Sequence, residues 1–324
     1  MKPVLVTGAT GFLGWHVAHV LADQGLPIRA LARRPEALAG SAWEVVPGDL
    51  CDPESLDRAV AGCQALFHVA ADYRLWARHP EELYRANVEG TRHLLEAARR
   101  AGVQRVVYTS TVGCIGFIEG GLGDESTPVS LGDMTGAYKR SKFLAEQEAL
   151  RFAREGFPVV IVNPTAPVGS HDVKPTPTGQ TILDFLRGRM PAFVDTGLNL
   201  VDARECAHGH WLAFLHGAPG ERYILGSENL TLQQILERLA ALTGRPAPRI
   251  RLPWLVAFTA GVVSSAGARL TGRPPRVPLD AVRMARKKMW VTHARAEREL
   301  GFRPSPATTG LQNAVEWFRS HGYC

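Results

Sequence analysis

The sequence predicts an α/β protein: a doubly wound parallel sheet followed by a smaller, mostly helical C-terminal domain. Three observations carry that expectation. Short apolar runs alternate with segments of helical pattern through the first half of the chain. The first run opens directly into a glycine turn, Thr7-Gly8-Ala9-Thr10-Gly11-Phe12-Leu13-Gly14. After Asn163-Pro164 the pattern changes to loops rich in Pro, Gly and Thr with interspersed helices.

Val4 to Val6 reads as a buried strand, and Leu13 to Gln24 as a helix stopped by Gly25. Strands follow at 28–32 and 44–46. A helix at 53–61 has Pro53 in its first turn and Asp52 as its cap. The fourth strand is read at 65–69, one long helix at about 80–101, and the fifth strand at 105–109. The helix at 138–155 stops at Gly156, and 159–162 is the sixth strand. Strands this uniformly apolar are those of a parallel sheet covered on both faces. Further on, Tyr223 to Leu225 is a short strand and Thr231 caps a helix ending at Thr243. The domains are thus read as 1–165 and 166–324, with elements of the second returning to the first.

Composition excludes several functions. Hydrophobic residues make up 45% of the 324 and charged residues 21%, as in ordinary soluble proteins. The net charge of +6 is scattered without a run of five Lys or Arg, which argues against nucleic acid. The five cysteines, Cys51, Cys63, Cys114, Cys206 and Cys324, show neither metal spacing nor a disulfide framework, so no metal is expected and a reducing compartment is. The N-terminus enters a strand without an apolar signal stretch, and the expected location is the cytoplasm. Residues 252–268 are uncharged, but Pro253, Gly261 and Gly267 interrupt them, and they are short for a membrane span. The ordinary reading is a core helix with solvated charges at its ends. The alternative is contact with an anionic membrane surface, because Arg249, Arg251, Arg269, Arg273, Arg283, Arg286, Lys287 and Lys288 flank it.

The glycine turn has a chemical meaning. Gly8 permits the tight turn, Gly11 lets backbone approach a pyrophosphate, and Gly14 lets helix and sheet pack closely. The helix N-terminus offers unpaired N–H groups to phosphates. This is a Rossmann-type dinucleotide site with GxxGxxG spacing. At the second strand's end the chain reads Ala32-Arg33-Arg34, with no carboxylate until Glu36. A guanidinium there suits a 2′-phosphate, so NADP is expected over NAD.

Tyr138 and Lys142 lie one helical turn apart on one face. A phenol near pKa 10 is a poor acid or base at neutral pH, and an adjacent ammonium is expected to lower it. A hydroxyl from Ser110 or Thr111, at the fifth strand's end, would hold the substrate oxygen. His68, in its strand, reads as a packed histidine.

With these motifs the chain resembles the extended short-chain dehydrogenases/reductases, the NAD-dependent epimerase/dehydratase family. The resemblance rests on residues 7–14, Gly48-Asp49-Leu50, His68-Val69-Ala70-Ala71, Asn87-Val88-Glu89-Gly90-Thr91, Tyr108-Thr109-Ser110-Thr111, Tyr138 to Lys142 and Asn163-Pro164. Arg29 to Arg33 is similar to the dihydroflavonol reductase-like branch, in which Arg33 would read the phosphate. Residues 71–76, 167–169, 172–179 and 195–202 are closest to the hopanoid-associated sugar epimerases.

The resemblance implies Thr111, Tyr138 and Lys142 as the catalytic set. It implies cofactor contacts from Gly8, Thr10, Gly11, Phe12, Leu13, Gly14, Arg33, Asp49, Leu50, Val69, Ala70, Ala71, Asn87, Thr109, Tyr138, Lys142 and Pro164. Tyr73, Ser110 and Asn163 are candidates for touching substrate. Among the reactions of this scaffold, dehydration is disfavoured because Val112 and Gly113, not Asp and Glu, follow Thr111. A nucleotide-sugar epimerase is disfavoured because Gly197 to Leu200 lacks the arginines that would hold a pyrophosphate, although Arg187, Arg189 and Arg204 lie nearby in sequence. The favoured reading is an NADP(H)-dependent oxidoreductase acting on a small molecule, with sugar epimerase as runner-up. An inactive NADP-sensing regulator would not keep the Tyr-Lys pair. Peripheral membrane contact and homodimerisation are both left open.

Overall fold

The computed structural model describes residues 2–324, apart from the side chain of Arg269. Its centre is a seven-stranded, all-parallel sheet. The first six strands are β1 (Val4–Thr7), β2 (Ile28–Ala32), β3 (Glu44–Pro47), β4 (Ala65–His68), β5 (Arg105–Thr109) and β6 (Val159–Pro164). They lie in the order β3-β2-β1-β4-β5-β6, with a seventh strand beyond β6. The direction of winding reverses between β1 and β4, which opens a crevice at the carboxyl ends of those strands.

Strand alternation sends side chains into two cores. Val4, Val6, Phe67 and Val107 face α1 (Phe12–Asp23), while Leu5, Leu66 and Val106 face α2 (Pro53–Val60). Asp52 caps α2 by accepting from the Ser55 amide. The segment expected as one helix from about Pro80 is divided into α3 (Glu81–Tyr84), a π turn (Arg85–Glu89) and α4 (Gly90–Arg100). The π turn carries Asn87, whose amide is bonded across the fold, and such single turns recur at functional sites. α5 (Gly136–Arg154) then lies on the second core.

The second half begins with β7 (Ala166–Val168) and α6 (Pro177–Leu186), then β8 (Ala192–Val194), β9 (Gly197–Asp202) and α7 (Ala203–His216). α7 packs on α1, and β10 (Arg222–Leu225) is the seventh strand of the main sheet, parallel to β6. Sequence reading had already placed a strand at Tyr223 to Leu225, but its partner is not visible in a linear pattern. β11 (Glu228–Thr231) pairs antiparallel with β9, which pairs with β7. The Thr231 side chain caps α8 (Leu232–Thr243) in a reciprocal box with Gln234. β12 (Ile250–Leu252) joins β8.

α9 (Trp254–Thr271) departs from the expected core helix. Only one side of it is covered, by α10 (Leu279–Met284): Trp254 Nε1 donates to the Val282 carbonyl at 3.0 Å, and Ser265 Oγ accepts from Leu279 N at 3.1 Å. Its other side is exposed, and among the described residues no further element packs over it. Of the basic flank read from the sequence, the side chain of Arg269 lies outside the described residues. α11 (Ala294–Leu300) returns to the first core, and α12 (Ala307–Ser320) closes a third core with α6 and α8. Among the described residues, no helix is long and apolar enough to cross a membrane.

Candidate active site

The glycine turn is built as a close approach. Gly8 has φ +79°, and a Cβ added there would lie 2.8 Å from the Ala70 amide nitrogen. A Cβ on Gly14 would come 2.0 Å from the Gly8 carbonyl oxygen, so no side chain fits. α1 begins after Gly11 with neither a side-chain cap nor an acidic residue in its first turn. Its amides therefore face the crevice unpartnered by side chains, as a pyrophosphate would require. Thr7 braces the turn: its Oγ1 accepts from the Val69 and Ala70 amides at 3.2 and 3.1 Å.

His68 is enclosed at the end of β4, with Nδ1 2.9 Å from Thr7 Oγ1 and Nε2 2.9 Å from Thr91 Oγ1. Burial, reinforced by the charge of Lys142, pushes its pKa down to about 3, so it is a neutral clasp. Val69, Ala70 and Ala71 lead from it into the loop that Asn87 holds: Asn87 Oδ1 accepts from Asp72 N at 2.7 Å, and Nδ2 donates to Asp72 O and to Ser141 Oγ, both at 2.9 Å.

Arg33 is exposed just past β2, in no ion pair among the described residues. Arg29, two turns of pleat earlier, is instead tied to Glu44 at 2.9 Å and to the carbonyls of Ala59 and Ala61. Asp49 turns back on itself, its Oδ1 accepting from Cys51 N at 2.8 Å, and Leu50 packs on Gly90.

Tyr138 and Lys142 lie on one face of α5. The ammonium of Lys142 donates to the Thr109 carbonyl at 2.8 Å and to Tyr108 Oη at 3.1 Å, and it stands over the Tyr108 ring. Burial lowers its pKa to about 8. The expectation that Lys142 would depress Tyr138 is not met. Burial raises the Tyr138 phenol above its ordinary value, the Cys114 thiol adds to the rise, and the Thr111 hydroxyl opposes it through a hydrogen bond. The ammonium is turned to the end of β5 instead. Thr111 thus acts on the Tyr138 phenol, whereas Ser110 is buried towards Cys114 and Glu146.

Asn163 is fully enclosed, donating to the Thr111 carbonyl at 3.0 Å and to Glu146 Oε2 at 2.8 Å. It supports Thr111 from behind rather than facing the crevice. Pro164 continues the same strand, opposite Leu225. Thr109 Oγ1 lies 3.0 Å from His210 Nε2. Sequence reading missed Glu146 and its partner Arg222, 3.4 Å away, although Tyr138, Lys142 and Glu146 recur at four-residue spacing along α5. It also missed a cavity of about 400 Å³. Leu75, Trp76, Leu83, Ala268 and Leu279 line it, with Arg74, Arg78 and Arg283, and it reaches Ala137, the residue before Tyr138. Tyr73, 42% exposed, precedes that lining in the same loop.

The arrangement joins a phosphate cradle to a phenol, an ammonium and a hydroxyl. Residues 4–226 match the model of a family described as the NAD dependent epimerase/dehydratase family. The chain belongs to that family. Within it, this extended short-chain dehydrogenase/reductase is similar to proteins with reductase-type names. A Synechocystis sp. protein named provisionally as a dihydroflavonol 4-reductase is 48% identical over 98% of this chain and 95% of its own length. The sterol demethylase protein B of Methylococcus capsulatus is 38% identical over 98% of each. The crystal structure of gox2253 superposes with a TM-score of 0.89 at 45% identity, covering 100% of this chain and 99% of that one. The glycine cradle and uncapped α1 fit the nicotinamide dinucleotide that the family description implies.

Proposed function

We propose that this enzyme is an NADP(H)-dependent oxidoreductase that interconverts a carbonyl and a secondary alcohol, with Tyr138 as the acid/base. The observation that carries this reading is the 2.8 Å bond from Lys142 to the Thr109 carbonyl, which registers the helix bearing Tyr138 against the strand that leads to Thr111. A bound nicotinamide supplies or accepts the hydride. The residues do the rest. Thr111 orients the substrate oxygen, and Tyr138, held protonated by its surroundings, donates a proton to it during reduction. Lys142, anchored on the Thr109 carbonyl, fixes α5 against β5 so that Tyr138 keeps its place as that proton leaves. Asn163 and Glu146 fix the Thr111 backbone. Arg33 selects the 2′-phosphate, and the cavity beside Ala137 accommodates the body of the substrate.

A sugar epimerase is the second reading, favoured by the family description itself. Two nearby arginines are engaged elsewhere: Arg187 Nε donates to the Tyr323 carbonyl at 2.8 Å, and Arg204 pairs with Asp23 at 2.9 Å. Of the three arginines near Gly197 to Leu200 in sequence, only Arg189 is then without a side-chain partner among the described residues, which supports the reductase. The test is to incubate the protein with NADPH and panels of hydrophobic ketones and of UDP-sugars. Net oxidation of NADPH with ketones is the expected result. Epimer formation from UDP-sugars without net cofactor turnover would establish the second reading instead.

A further inference from the structure

We propose that the outer face of α9 is a docking surface for an anionic lipid bilayer. Exposed apolar surface is ordinary when scattered, but here it is gathered on one helix. Leu255 is 65% exposed, Val263 71% and Leu270 89%, and Val256 and Val262 lie beside them on the same uncovered side. Residues 254–268 contain no charged side chain. The inner side of α9 is held by α10, so the outer face is presented rigidly.

The charges around this face select its partner. Ten basic residues and a single acid, Asp280, lie between Gly244 and Met289, while the whole chain carries only +6. Everything outside that segment is therefore net acidic. Arg273, Arg276, Arg286 and Lys287 form no ion pair among the described residues. Two of these cations stand over aromatic rings: Arg286 is 5.3 Å from the centre of the half-buried Trp254 ring, and Lys287 5.1 Å from that of Phe117. Phe117 begins a loop whose Ile118 and Leu122 are also exposed, so a second apolar patch lies beside Lys287. An apolar face in a segment rich in unpaired cations matches an anionic bilayer, whose acyl boundary takes the first and whose headgroups take the second. The partially covered side of α9 supplies Ser265 and Ala268 to the cavity next to Ala137, so docking would set that cavity at the lipid surface.

The test is flotation of the full chain with vesicles of phosphatidylcholine alone and of phosphatidylcholine with phosphatidylglycerol, at low and high salt. Light scattering of the protein without lipid accompanies it. The expected result is partition onto the anionic vesicles, weakened by salt and roughly fivefold for each cation removed, as in Arg276→Gln or Lys287→Gln. Leu255→Asp and Val263→Asp, both at exposed positions and checked for an intact fold by circular dichroism, are expected to abolish partition. Absence of flotation, equal binding to neutral vesicles, or binding unchanged in Val263→Asp would each overturn the proposal. A wild-type dimer that Val263→Asp converts to monomer would also overturn it, assigning the face to a second copy of the chain.

Discussion

Lys142 Nζ lies 2.8 Å from the carbonyl oxygen of Thr109, which fastens the middle of α5 to the carboxyl end of β5. Through that bond the helix bearing Tyr138 is registered against the strand that leads to Thr111. The pair of residues that the proposed chemistry needs is therefore positioned by main chain and ammonium, independently of any substrate.

Arg33 is expected to choose the cofactor. Arg33→Ala should weaken NADP binding roughly ten- to a hundredfold, the loss of about 1.5–3 kcal/mol from a charge-assisted pair, and leave NAD binding nearly unchanged. Calorimetric titration of both nucleotides into both proteins reads this directly. Equal affinity of the wild type for NAD and NADP would contradict it.

Gly14→Ala is expected to damage the cradle, because the new methyl would meet the Gly8 carbonyl at 2.0 Å. Overpacking of this kind costs about 1–3 kcal/mol, and here it also moves the turn that would receive phosphate. A lower unfolding midpoint together with lost nucleotide binding is the expected pair of results.

Arg222 compensates a buried charge. Its guanidinium is 3.4 Å from Glu146, whose side chain is fully buried and whose pKa burial raises. Arg222→Met should cost about 3 kcal/mol in denaturant unfolding, the low end for breaking a buried pair, because Asn163 still donates to Glu146.

Stability should fall in acid. Burial holds His68 to a pKa of about 3, and His171 and His210 to about 4, against an ordinary 6.5. Between those values the unfolded chain binds more protons than the folded one. The stabilisation is thus complete above about pH 6.5 and lost as pH falls towards 4. Asp172, raised by burial to about 6, acts in the opposite direction with Glu125 and Glu146, also raised by burial. Burial lowers His16 and His293 too, so five histidines oppose three carboxylates. Urea unfolding across this window should show midpoints dropping with pH, and a flat profile would contradict the account.

Much of this was legible before the structure. β1, β4 and β6 are buried along their length and β2 and β5 nearly so, which makes their apolar runs easy to read, while β3 at the sheet edge is partly exposed. Gly8, Gly11 and Gly14, and the spacing of Tyr138 and Lys142, are local patterns that survive in one dimension. What failed to show depends on distant partners. The π turn at Arg85–Glu89 is matched by the bonds of Asn87 to Asp72 and Ser141. The short strands β7, β8, β9, β11 and β12 offer three to six residues each, too few for a period to emerge. α9 looked like core because apolar helices usually are, and only the absence of a covering element shows otherwise. The phenol of Tyr138 was expected to be lowered by Lys142, but the carbonyl of Thr109 holds that ammonium.

The central claim is that Tyr138 is the proton donor of a hydride-transfer site, and Tyr138→Phe tests it most directly. The variant removes one oxygen and keeps the ring. NADPH binding within about twofold of wild type, with turnover reduced by at least about a hundredfold on any ketone the wild type reduces, is the predicted result. Turnover close to wild type in Tyr138→Phe would contradict the claim.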